Sequence, residues 1–233
     1  MRRTAQVAPT LDVERELLSA GSRFVIGVDE VGRGALAGPV AVGMVVIGAA
    51  MPPHPERLRD SKLLAEPVRE ELAPLCAAWG LFTAVGEATP AEIDEHGIIA
   101  ALGLAGWRAL GALRAAGAPV DEASVLLDGN HDYLNPVLET RMQVTTRIKG
   151  DMSCASVAAA SVIAKVHRDR QMIGLHEAFP AYDWASNKGY AAPVHLAAIA
   201  EFGPCDHHRR TWIHAASTAR RSSPGVRTSS AID

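Results

Sequence analysis

Four carboxylates fall at the ends of predicted elements. Asp29 and Glu30 are adjacent at the close of the apolar run "FVIGV". Asp128 ends a second apolar run, "SVLLD", and Gly129 follows it. Asp151 follows Lys149-Gly150, just ahead of a long helical stretch. Element ends are where loops bring distant side chains into one crevice. Carboxylates gathered there repel one another unless a cation neutralises them, and all-oxygen ligation favours Mg2+ or Mn2+ over Zn2+. Two such ions about 4 Å apart activate a water and stabilise the leaving oxygen in phosphodiester cleavage. Each acid taken alone also reads as a helix cap, a turn residue or an ion-pair partner. Asp60, Asp169 and Asp132 are rivals for a place in the cluster, although Asp169, following Arg168 on a helix, reads better as half of a structural ion pair. Strand neighbours face opposite sides. Asp29 and Glu30 are therefore expected to share a site where the strand stops or bends between them, with Gly32 and Gly34 allowing the break.

Glycine and basic residues lie beside these acids. Gly32-Arg33-Gly34 matches neither GxGxxG nor a Walker loop. It reads as a tight turn with a solvent-facing arginine, or as backbone N–H groups laid open to an oxygen-rich ligand. Ser61-Lys62 precedes a helical stretch and offers a hydroxyl, a cation and free amides, a set that suits a phosphate. Tyr190 follows Lys188-Gly189; it is either a packed ring or a surface for stacking on a sugar or base. His207, His208, Arg209 and Arg210 form a basic run that reads as a solvated face or as a phosphate contact.

The elements that must position these residues follow from periodicity. Strands are expected at Phe24–Val28, Val40–Ile47, Leu81–Gly86, Ser124–Asp128 and Met142–Arg147. Helices are expected at Leu11–Ser19, about Leu64–Ala78 (capped by Asp60 or Ser61), about Ile98–Ala116, about Ala155–Phe179 and from Pro193. Thr89-Pro90-Ala91-Glu92 is a helix start with a Thr cap and Pro at the first position. Three strands in sequence, then two separated by helices, imply an α/β domain with a mixed five-stranded sheet. The chain has 233 residues, 48% apolar and 5% aromatic, so a core of small side chains is expected. Net charge is -3, so an anionic partner must be met by a local basic patch. No apolar run reads as a membrane span of roughly 18–20 residues, the N-terminus does not read as a signal peptide, and no membrane association is expected. Cys76, Cys154 and Cys205 form no CxxC pair. A disulfide framework or zinc site is not expected, and a reducing cytoplasm fits best.

Taken together, these residues closely resemble the bacterial type 2 ribonuclease H family, ribonuclease HII. The likeness spans residues 22–213 and rests on five motifs in order: "GVDEVGRGALAGPV", "DSK" at Asp60–Lys62, "LLDGN" at Asp128, "KGDMSCASVAAASVIAKVHRDR" from Lys149, and "NKGYAAPVH" from Asn187. It implies a ribonuclease H-like fold with a helical C-terminal extension. The implied division is an N-terminal extension at 1–21, a catalytic domain at 22–213 and a tail at 214–233 expected to be disordered on composition. The implied activity is hydrolysis of the RNA strand of RNA–DNA hybrids and cutting on the 5′ side of single ribonucleotides in duplex DNA, by a monomer. By resemblance Asp29, Glu30, Asp128 and Asp151 take the metal-ligand positions, which favours Asp151 over Asp169. Gly32, Arg33 and Gly34 would read the 2′-hydroxyl and neighbouring phosphate. Tyr190 would stack on the deoxyribose beyond the junction, and Ser61 and Lys62 would contact phosphate. The sequence departs from the family pattern at Ala192, where threonine is usual, and at Thr211 and Trp212, where the family ends its segment in Ser-Phe. A second enzyme reading is a metal nuclease for DNA alone, or a strand-transfer enzyme, on the same acidic site; a third is a silent nucleic-acid-binding module, against which the four intact carboxylates argue.

Overall fold

A computed structural model of the chain describes residues 8–213. The tail carrying Arg220, Arg221 and Arg227 lies outside the described residues. β1 (Phe24–Val31), β2 (Val40–Gly48) and β3 (Phe82–Ala88) form an antiparallel meander. β4 (Ala123–Asp128) adds to β1 in parallel, and β5 (Val144–Arg147) adds to β4 in parallel, giving the order β3-β2-β1-β4-β5. The mixed five-stranded sheet is as the sequence implies. The central strands are buried on both faces, which is why β2 reads as a continuous apolar run.

Helices cover both faces. On one, α4 (Ile98–Ala115) lays Ala101, Leu102, Ala105, Ala109 and Leu113 against Ile26, Val28, Val42 and Met44. By length and composition α4 could cross a membrane, which corrects the reading that no such run exists. Its burial against the sheet shows the physical reason for that composition: it is a core helix. On the other face lie α6 (Ala155–Ala178), α2 (Glu66–Trp79) and α1 (Asp12–Ser19). α6 approaches so closely that a Cβ at Gly27 would overlap Ser156, which explains its alanine- and serine-rich N-terminal half. The N-terminal extension is built into this layer. Leu11 joins the core, and the buried Glu14 accepts hydrogen bonds from Ser156 N–H and Oγ, both at 2.8 Å. A third cluster, around Trp184, Tyr182 and Met172, unites the end of α6 with α7 (Trp184–Asn187) and α8 (Pro193–Phe202).

The cap of α3 (Pro90–His96) forms as expected: Thr89 Oγ1 accepts from Glu92 N–H, and Glu92 Oε2 accepts from Thr89 N–H at 2.8 Å. The cap expected for α2 does not. Asp60 instead accepts from Lys62 N–H in a separate helical turn, Ser61–Leu63. Leu64 is extended (φ -102°, ψ 139°), so the chain leaves that turn before α2 begins at Glu66. The short α5 (Gly150–Ser153) lies between β5 and α6 and was not expected from periodicity.

Candidate active site

β1 does not stop between Asp29 and Glu30. It runs on to Val31, pairing Asp29 with Gly43 and Glu30 with Val42 of β2. What ends is the ladder to β4, whose last pair is Val28↔Leu127. Asp29 and Asp128 are thus the next residues on two adjacent parallel strands. Beyond the end of β4, Glu30 on the opposite face is no longer walled off from them. The expected break in the strand is replaced by a difference in strand length.

Each acid is fixed by its surroundings. Asp29 is 3% exposed; burial, and then the Glu30 charge, hold its carboxyl well above the ordinary range, while the Ser161 hydroxyl pulls the other way. Glu30 is raised by burial and by Asp128, with Arg33 opposing. Its Oε1 lies 3.4 Å from Arg33 Nη1, whereas Oε2 is buried and has no hydrogen-bond partner among the described residues. Asp128 is raised by burial and by Asp151, even though its Oδ1 accepts from Gly150 N–H at 2.7 Å. Asp151 Oδ2 sits 3.1 Å from Lys62 Nζ. Burial would lower the Lys62 pKa, but Asp29, Asp151 and Asp60 together outweigh it and raise it. Asp60 stands against Asp151 and joins the cluster as a fifth acid. Among the described residues no three acid, histidine or cysteine side chains already close on one ion position.

The rivals separate cleanly. Asp169, 1% exposed, pairs with Lys165 Nζ at 2.6 Å and Arg69 Nη2 at 3.4 Å, so it is structural. Asp132 caps a turn by accepting from Leu134 and Asn135 N–H, both at 3.0 Å. Ser61 is buried, and its hydroxyl is engaged with Ser161 Oγ at 2.7 Å, so it faces the acids' supporting shell and not solvent.

The glycine loop is held by two buried arginines that sequence reasoning did not single out for this role. Arg168 donates to Pro39 O, Ala37 O and Lys188 O at 2.8–2.9 Å. Arg209 donates to Arg33 O at 2.9 Å and Gly32 O at 2.7 Å. Gly32 has φ +80°, and a Cβ there would collide with the Arg168 guanidinium. Gly34 differs: a Cβ there meets nothing within 4 Å among the described residues, so packing does not demand a glycine. Among those residues, the N–H groups of Arg33 and Gly34 donate to no backbone carbonyl. Tyr190, 37% exposed, sits beside this loop, its ring 5.5 Å from the Arg168 guanidinium and 6.0 Å from Lys165 Nζ. Gly189 O accepts from Leu36 and Ala37 N–H, which ties the two segments together.

The basic run is mostly not a phosphate-facing surface. His208 and Arg209 are buried, and Arg210 pairs with Asp206 at 2.9 Å. A guanidinium with five N–H donors can replace its hydration by loop carbonyls, which is how Arg209 is accommodated inside. Trp212 covers it at 5.2 Å, and Thr211 bonds Asp94, so both departures from the family pattern have structural partners. Ala192 leaves α8 with no side-chain cap. Ala192→Thr is expected to stabilise the fold by about 1 kcal/mol, read as a raised melting temperature.

The family model described as Ribonuclease HII matches residues 26–215. The chain belongs to the ribonuclease HII family. A ribonuclease HII of Streptomyces griseus is 51% identical over 210 residues, covering 88% of this chain and 84% of its own. Another, of Streptomyces avermitilis, is 49% identical over 207 residues, with the same shares of each chain. The crystal structure of ribonuclease H2 from Pyrococcus horikoshii OT3 superposes with TM-score 0.61 at 26% identity, covering 86% of this chain and all of that one. The chain is therefore a ribonuclease H, an endoribonuclease acting on RNA–DNA hybrids, in a family of divalent-metal-dependent hydrolases.

Proposed function

We propose that this chain also cuts duplex DNA on the 5′ side of a single embedded ribonucleotide, leaving 3′-hydroxyl and 5′-phosphate ends, in ribonucleotide removal during DNA replication and repair. The reading rests on one juxtaposition. Glu30 of the acidic cluster is in contact with Arg33 of the glycine loop, so recognition and chemistry share one short segment. The N–H groups of Arg33 and Gly34, which donate to no carbonyl among the described residues, suit a ribose 2′-hydroxyl and its phosphate, and Gly34 leaves room for the sugar. Tyr190 offers a half-open ring for the next sugar.

Mg2+ or Mn2+ fits the acidic residues: the donors are all oxygen, and Glu30 Oε2 is a buried acceptor without a partner among the described residues. Asp29, Glu30, Asp128 and Asp151 would hold the ions, which when bound supply charge neutralisation and water activation for phosphodiester hydrolysis. Gly150 N–H orients Asp128, and Lys62 orients Asp151. Lys62 also places a positive charge where a phosphate would approach. Duplex affinity should fall with added salt, because phosphate contacts dominate it.

The test compares a duplex with one ribonucleotide against the matched all-DNA duplex, with Mg2+, Mn2+ or EDTA, and maps the cut. A single cut 5′ of the ribonucleotide, no cut in DNA and none in EDTA are expected. Comparable cutting of both duplexes would support a nuclease for DNA and overturn the reading.

A further inference from the structure

Beside Tyr190 lies a buried hydrogen-bond chain that the acidic cluster does not use. His195 and His208 are 0% and 1% exposed, on α8 and on the segment after it. His195 Nδ1 lies 2.8 Å from Tyr190 O, and its Nε2 lies 3.0 Å from Trp184 Nε1 and 3.1 Å from His208 Nε2. His208 Nδ1 in turn lies 3.1 Å from Cys205 N and 3.3 Å from Cys205 Sγ.

The partners fix the tautomer of His195. A carbonyl accepts, so His195 Nδ1 must donate to Tyr190. The Trp184 N–H donates, so His195 Nε2 must accept. His208 accepts the Cys205 N–H at Nδ1, so its proton is on Nε2, which shares the single Nε2 lone pair of His195 with the Trp184 N–H. Both rings are neutral in this arrangement. Burial pushes both histidines below their ordinary range, His208 to about 4, in keeping with that state.

We infer that His195, locked in one tautomer by the Trp184 N–H and the Tyr190 carbonyl, is a positioning residue that holds the Tyr190 backbone and so sets where its ring meets the substrate. The Tyr190 carbonyl also accepts from Ala192 N–H at 2.8 Å, but position 192 carries no side chain able to add to that hold. The ring is packed from beneath by Arg168, so backbone anchoring and ring placement act together. The inference rests on the proposed contact of Tyr190 with substrate.

The test is a double-mutant cycle on the one-ribonucleotide duplex. His195→Gln places its amide near the Nε2 position and loses the bond to Tyr190. His195→Asn places an amide near Nδ1 and can keep it. The Gln variant is expected to lose about tenfold in kcat/KM, the scale of one hydrogen bond in placement. Asn is expected to recover most of that loss. In a Tyr190→Ala background the Gln substitution should have no further effect, because the group it positions is gone. A Gln effect of equal size in both backgrounds would overturn the inference and leave His195 a purely structural residue. A neutral Tyr190→Ala would instead overturn the substrate contact itself. Proton NMR of the unsubstituted protein gives a check independent of variant folding. A slowly exchanging His195 Nδ1–H is expected, and its absence, with the proton on Nε2, would overturn the assignment.

Discussion

Asp29→Asn is expected to cut turnover on RNA–DNA hybrid by more than about 100-fold while making the metal-free protein more stable at neutral pH. The first effect follows from the role proposed for Asp29: loss of groups outside the ligand shell already costs 10–100-fold in comparable sites, roughly speaking, and a ligand should cost more. The second follows from electrostatics. Burial and like charge raise the carboxyl groups of Asp29, Glu30 and Asp128. An acid with a raised folded pKa favours the protonated fold. The stability it allows is full below the ordinary carboxylate range, about 4, and is lost as pH rises through the raised value. Replacing Asp29 with a neutral isostere removes part of that loss. Thermal melts in EDTA from pH 4 to 8 should therefore show the variant gaining on the unsubstituted protein as pH rises. Added Mg2+ or Mn2+ should reverse the order, since an ion that binds the folded state stabilises it by about 2.7 kcal/mol at one hundred times its dissociation constant. Near-normal turnover, or a variant that melts lower at pH 7 in EDTA, would show that Asp29 is not part of a repelling, cation-seeking cluster.

Arg168→Lys is expected to cost about 3 kcal/mol of folding stability and most of the activity. Arg168 is fully buried and, among the described residues, has no carboxylate at hydrogen-bond distance; its fork instead satisfies three backbone carbonyls from two segments, Ala37 and Pro39 on one side and Lys188 on the other. A compact ammonium on a flexible stem cannot span that geometry. Ala37 O and Lys188 O, which have no other donor among the described residues, lose theirs at roughly 1–3 kcal/mol each, while Pro39 O keeps Arg209 Nη2 at 3.2 Å. The same carbonyls fix the glycine loop against the Tyr190 segment, so the distance between the two recognition elements loosens as well. Urea unfolding and kcat/KM on the one-ribonucleotide duplex measure the two effects. A stability loss below about 1 kcal/mol would mean that water or local rearrangement replaces the guanidinium.

Much of the fold was legible along the chain because local physics dictated it. The "VAVGMVVI" run is a strand buried on both faces, and the Thr89–Glu92 pair is a capping box whose two halves lie three residues apart. Less legible were boundaries set by neighbours. β1 outlasts its pairing with β4 because β2 continues to hydrogen-bond it, and no feature of residues 24–31 could announce that.

For the site, residue types and spacing by themselves singled out Asp29, Glu30, Asp128, Asp151 and the glycine loop as candidates, and the family resemblance preferred Asp151 to Asp169. The sequence could not decide between solvent and interior for the charged residues around them. Arg209 reads as part of a basic run and Arg168 as the neighbour of a paired Asp169, yet both are buried on carbonyls; Ser61 looks like a phosphate contact, yet its hydroxyl faces Ser161. Asp60 was a rival for one position and is instead an additional neighbour of Asp151. His195 and His208, thirteen residues apart, become one hydrogen-bonded pair when α8 and the following segment fold onto Trp184. The physical reason is common to all of them. A side chain's type fixes what it can donate, accept or carry, but burial and partners are supplied by distant segments, and only the tertiary structure brings those segments together.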